Sequence, residues 1–95
     1  MPPVRYTRRA LARLRQIGEW IEKDNPPAAQ RVIAHISDNV NLLGDQPEIG
    51  RLGRVNGTRE LVLTGIPYIV AYRIKASGVE IVTVLHASQR WPESF

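Results

Sequence analysis

The sequence predicts an α+β domain of order β-α-α-β-β-β, with a helix hairpin packed on one face of an antiparallel sheet. Two stretches in the first half repeat apolar residues at spacings of three and four, the period of a helix with one buried face. The segment Asp24-Asn25-Pro26-Pro27 divides them, and three runs rich in β-branched and aromatic residues follow, joined by short turns.

Val4-Arg5-Tyr6 is a β-prone opening and reads as a first strand. Thr7 suits a helix N-cap, and the helix it opens runs to Lys23 with Leu11, Leu14, Ile17 and Ile21 as its stripe. Asn25 caps a second helix from about Pro27 to Leu43, with a proline in its first turn and Ala29, Val32, Ile33, Ile36, Val40 and Leu43 on its buried face. The short break makes the pair an antiparallel hairpin. Residues 44–57 hold Gly44, Asp45, Pro47, Gly50, Gly53, Asn56 and Gly57, the composition of a loop. Thr58–Thr64, Pro67–Lys75 and Val79–His86 are the remaining strands, and their short connections make an antiparallel meander. The helix hairpin needs an apolar surface and covers one sheet face, which leaves the other freer to carry function. The tail, Ala87 to Phe95, is too short for a long closing helix.

The 95 residues, read as one domain over 1–95, bury a modest core. There is no cysteine, which excludes disulfides and thiolate metal sites. No apolar run approaches the roughly 20 residues that span a bilayer, and the start of the chain lacks the apolar core of a secretory signal. A cytoplasmic protein, with no membrane contact, is the expectation. The net charge is +4, from 13 basic and 9 acidic residues, and only Lys23 and Lys75 of the basic set are lysine. A positive chain seeks an anionic partner, either an acidic protein or nucleic acid. The arginine bias fits bidentate contacts to carboxylate or phosphate, and it equally fits a GC-rich genome. His35 and His86 are far apart in sequence, and with no cysteine they suggest no metal site; no cofactor is expected either.

The C-terminal half resembles the ParE/RelE toxin superfamily in Thr58-Arg59-Glu60-Leu61, in Pro67-Tyr68-Ile69-Val70-Ala71-Tyr72-Arg73-Ile74, in Val84-Leu85-His86 and in Gln89-Arg90-Trp91-Pro92. The Asn25-Pro26 break and the phrase Pro47-Glu48-Ile49-Gly50-Arg51 extend the resemblance over essentially the whole chain. The resemblance implies the toxin of a type II toxin–antitoxin pair, held inactive in a hetero-oligomer with an acidic, ParD- or RelB-like antitoxin. The antitoxin's C-terminal segment wraps the toxin and its N-terminal domain binds operator DNA. ParE-like members inhibit DNA gyrase; RelE-like members cut mRNA on the ribosome. Fold alone does not choose between these.

A ribosome-dependent nuclease needs a base, an acid and several cations in one place. His86, Arg59, Arg73 and Arg90 are the candidates, but no tyrosine follows His86, and Lys75 stands alone at a strand end. The expected function is therefore a gyrase inhibitor without chemistry of its own. The alternatives are the nuclease and a non-toxic partner that serves only in autoregulation. His86 acts as an acid or base in one reading; in the favoured reading it fixes the tail by a hydrogen bond. Arg59, in phase with Leu61 and Leu63, Arg73, in phase with Ile69 and Ala71, and Arg90 are read first as grips for antitoxin carboxylates or as internal partners of Glu60 or Glu80, and second as direct phosphate contacts. Arg13, Trp20, Arg90 and Trp91 complete the expected antitoxin-binding set. Trp20 packs either in the core or under the antitoxin. Arg8, Arg9, Arg13 and Arg15 read as a solvated helix face, because no aromatic residues interleave with them.

Overall fold

The computed structural model describes residues 3–95; Met1 and Pro2, at the start of the expected domain, lie outside the described residues. The chain runs β1 (Val4–Tyr6), α1 (Arg8–Glu22), α2 (Pro26–Leu42), β2 (Arg51–Leu52), β3 (Arg59–Val62), β4 (Tyr68–Lys75) and β5 (Gly78–His86). The expected order is present, with two differences in the sheet.

Both helices begin where their caps place them. The Thr7 side chain accepts from the Ala10 N–H at 3.0 Å, and the Asn25 side chain accepts from the Ala28 N–H at 3.1 Å. Pro26 occupies the first helical position, where its missing N–H costs nothing. α1 lies across β5 and α2 packs on α1. Ile17 from α1, Ile36 and Val40 from α2 and Leu43, which caps α2, join Val70, Tyr72, Ile81 and Val84 in one buried cluster.

The strands form one sheet in the order β1-β5-β4-β3-β2. The expected wholly antiparallel sheet is corrected at β1, which pairs parallel with β5 from Val4 opposite Val79 to Tyr6 opposite Ile81. A parallel pair needs a long crossover, and the helix hairpin and meander together supply it. The second difference is β2, a two-residue strand inside the expected loop, with Arg51 opposite Glu60 and Leu52 opposite Arg59. The β4–β5 register shifts at Ala71/Tyr72, leaving Val82 as an extra residue on β5. That shift lets both Ile81 and Val84 face the helices.

Beyond Ile81, β5 has no strand on its β1 side, and α1 supplies the missing partners. The Thr7 hydroxyl donates to the Val82 carbonyl at 2.9 Å, and Arg13 Nε donates to the Val84 carbonyl at 3.0 Å.

The face away from the helices is not bare. Ile69, Ala71, Thr83 and Leu85 alternate away from the core cluster yet are buried. The tail leaves β5 and crosses to the β2 side, because Trp91 lies 3.9 Å below the Arg54 guanidinium. A groove lined by Thr83, Leu85, Arg90, Trp91 and Phe95 marks its path.

Candidate functional site

The residues expected to act together fall in three places. The first is a groove of about 310 Å³ between α1 and the end of β5, lined by Arg13, Gln16, Ile17, Trp20, Tyr68 and His86. Its helical side follows from spacing: positions 13, 16, 17 and 20 share one face of α1. Trp20 is 71% exposed, which removes the core alternative for this residue. Lys23 Nζ sits 5.7 Å from its ring centroid. Arg13 is held from two sides, by the Val84 carbonyl and by Gln89 Oε1 at 3.0 Å. Its guanidinium is therefore a structural tie between helix, strand and tail.

His86 ends β5 on this groove. Its Nδ1 receives the Ser88 N–H at 3.1 Å and lies 2.7 Å from the Ser88 hydroxyl. The ring meets Tyr68 edge-on, with centroids 5.3 Å apart. None of these neighbours is a carboxylate. The tail-fixing arrangement is the one observed.

The second place is the loop beneath β2. Arg59 donates to the Gly50 carbonyl at 2.7 Å and, at a longer 3.4 Å, to the Glu48 carbonyl. The internal alternative for Arg59, a pair with Glu60 or Glu80, is not made: register puts Arg59 opposite Tyr72, on the opposite sheet face from Glu60. Glu60 is instead taken by Arg51, opposite it on β2, at 2.8 Å, and by Arg54 at 3.4 Å, with the Arg54 backbone N–H donating at 2.8 Å. Burial pushes the Glu60 carboxyl up. The Arg54 N–H, the Arg51 hydrogen bonds and the two positive charges outweigh it and hold the group below its ordinary value.

The third place is the outer face of the sheet. Glu80, on β5, is surrounded by Arg5 at 2.7 Å, Lys75 at 3.2 Å and Arg73 at 3.5 Å. Arg73 thus makes the internal pair that its strand phase predicts. Hydrogen bonds from Lys75 and Arg5 hold the Glu80 carboxyl below its usual value, against a smaller opposing effect of burial. Arg90 is exposed in the tail, beside Arg9 on the same groove wall. Trp91 is half-buried between Arg54 and Phe95, and its Nε1 is buried with no hydrogen-bond partner.

The structure does not bring the nuclease candidates together. His86 faces the α1 groove, Arg59 caps the loop, and Arg73 and Arg90 belong to the outer face. Sequence reasoning missed Arg51 and Arg54 as the partners of Glu60, and Arg5 and Lys75 beside Glu80. Only the register of a two-residue strand reveals the Glu60 partners, and no alternation is visible over two residues. Among the described residues no group of three His, Cys, Asp or Glu is placed to hold a metal ion, and no described helix is long and apolar enough to cross a membrane.

The ParE toxin family, described as the ParE toxin of the type II toxin–antitoxin system parDE, matches residues 4–91. A protein named as toxin Y4kP from Sinorhizobium fredii is 56% identical over 90 residues, covering 95% of this chain and 93% of that one. Toxin RelE2 of Caulobacter vibrioides is 37% identical over 89 residues, covering 94% of this chain and 99% of its own length. A solved structure described as a chromosomal ParDE toxin–antitoxin system from P. aeruginosa superposes with a TM-score of 0.84 at 25% identity, over 93% of this chain and 98% of that one. The match runs through β1, the helix hairpin, the meander and the tail as far as Trp91, and on it the chain belongs to the ParE toxin family of type II toxin–antitoxin systems.

Proposed function

We propose that this toxin acts by binding DNA gyrase and that its antitoxin silences it by occupying the α1 groove. The dispersal of the candidate nuclease residues carries the first half of this reading. His86, Arg59 and Arg73 lie in separate places, and each already has a structural partner. A catalytic set must converge within hydrogen-bond reach of one reacting group. Inhibition by binding makes no such demand.

The second half rests on Trp20. An exposed tryptophan beside Ile17, with the Lys23 ammonium over its ring, combines an apolar anchor with a neighbouring cation. An amphipathic antitoxin segment with an apolar anchor and flanking carboxylates suits it. Arg73, Arg90 and Trp91, also expected to meet the antitoxin, lie on the far face of the sheet. A segment reaching them as well wraps around the β5 edge.

Purified toxin in a gyrase supercoiling assay tests the target. The expected result is loss of supercoiling at micromolar toxin, relieved by antitoxin. The second reading is a ribosome-dependent nuclease, favoured by the name of the RelE2 relative. Discrete stops in primer extension on ribosome-bound mRNA, with gyrase unaffected, would establish it instead.

A further inference from the structure

Charge is segregated along this chain. Residues 16–50, which hold most of the helix hairpin and the loop after it, carry Glu19, Glu22, Asp24, Asp38, Asp45 and Glu48 against Lys23 and Arg31. The rest of the chain carries eleven basic residues against Glu60, Glu80 and Glu93. Four of the eleven, Arg8, Arg9, Arg13 and Arg15, lie on α1, and the sheet, its loops and the tail hold the other seven against the three glutamates.

Much of that surplus is gathered on the outer face of the sheet. Glu80 offers one negative charge to Arg5, Arg73 and Lys75, and Glu60 offers one to Arg51 and Arg54. Between the two clusters runs the tail groove, with Arg9 and Arg90 on its walls and Trp91 and Phe95 along it; Glu93 is the tail's one carboxylate side chain. This is the interleaving of cations and aromatic rings that α1 lacks in sequence. Exposed apolar anchors are scarce on this face. Trp20 and Leu11 are on α1, Leu42 is on α2, Ile49 is in the loop before β2, and Leu52 and Ile74 share the helix-side phase of Tyr72, which leaves Val62 among the exposed large apolar residues of the sheet. A folded acidic protein needs buried anchors as well as charge. A nucleic-acid strand needs phosphate contacts and surfaces for stacking.

The charge geometry points to a second binding surface: the outer face, from the Glu80 cluster to the Arg54–Trp91 stack, binds a single strand of nucleic acid through its phosphates, without base selectivity. It is separate from the α1 groove and does not depend on which target the toxin poisons.

The test is anisotropy of the full chain with a labelled oligothymidylate of about 20 nucleotides, between about 50 and 200 mM salt. The comparison is Arg73→Gln/Arg90→Gln against Arg15→Gln/Arg31→Gln, two variants of equal net charge. Binding that weakens about tenfold in the first variant at roughly 100 mM salt, with the salt slope shallower by about 1.4, and stays near wild type in the second, is the expected result. The inference is overturned by no binding at low salt, by equal losses in both variants, or by a glutamate homopeptide of matched charge binding as tightly as the oligonucleotide. Gyrase inhibition is scored separately. A toxin that inhibits gyrase but ignores the strand sinks this inference alone, and one that binds the strand but spares gyrase sinks only the proposed target.

Discussion

The Gly50 backbone N–H donates to the Tyr72 hydroxyl at 2.9 Å, and that hydroxyl donates on to the Pro47 carbonyl at 2.6 Å. A wholly buried tyrosine on β4 thereby holds the loop from which β2 emerges. The contact tolerates no side chain at position 50: a Cβ there would lie 2.5 Å from the hydroxyl and 2.9 Å from the Glu60 carbonyl oxygen. Tyr72→Phe leaves a buried N–H unpaired and should cost on the order of 1–3 kcal/mol in urea denaturation. Gly50→Ala should cost at least as much. A Tyr72→Phe chain as stable as wild type would show that the loop is held by other contacts.

Stability should fall in acid through Glu60. Its folded value is depressed, so its contribution is complete above the unfolded value, roughly pH 4.3, and is lost as pH drops through the folded value. Glu60→Gln should lower stability at pH 7 by on the order of 1–3 kcal/mol. The gap to wild type should narrow as pH falls below the unfolded value of roughly 4.3 and close once Glu60 is protonated in the folded state. A gap that persists unchanged in acid would assign the loss to packing. Glu80 is depressed in the same direction and should steepen the same limb.

Arg13 was expected to face the antitoxin, but its bond to the Val84 carbonyl makes it part of the fold. Arg13→Gln should lower stability by about 1 kcal/mol. Its effect on the antitoxin association rate should be small. The reverse pattern, unchanged stability with slower association, would restore the expected role.

Trp20 should behave in the opposite way. It is largely exposed, so Trp20→Ala should leave the melting temperature nearly unchanged. Antitoxin affinity should weaken by at least about 2 kcal/mol, the cost of losing an interface anchor. Titration calorimetry with the purified antitoxin reads this directly; wild-type affinity would move the interface elsewhere.

His86→Ala removes the Ser88 acceptor and the edge contact to Tyr68. Proteolysis of the tail should become faster while gyrase inhibition is retained. Loss of an mRNA-cleaving activity in this variant, with the tail still protected, would favour the nuclease reading.

Most of the fold was legible because its signals are local. Thr7, Asn25 and Pro26 mark the helix starts by their own chemistry, and the helical stripes needed only periodicity. What was hidden depends on pairing between distant segments. The parallel partnership of Val4–Tyr6 with Val79–Ile81 has no local signature. Neither does the extra residue Val82, which reverses the phase of β5 midway along its length. The same reason hid much of the site. Arg73 could be phased within its strand and paired as expected, whereas the partners of Arg59 and Glu60 followed from the register of β2, which reads as loop. Trp20 was legible as a stripe neighbour, but its exposure was not.

The partnership between β1 and β5 also sets when the molecule can exist. β1 is translated before the helix hairpin and the meander, and it has no neighbour in the sheet until residues 78–86 have been made. The strand flanked by both β1 and β4 is the last one synthesised. Long-range pairing of this kind is slow to form. A chain released early, by a stop codon or a stalled ribosome before β5, therefore lacks the strand that joins its two halves. The five-stranded sheet can therefore close only after residues 78–86 have emerged.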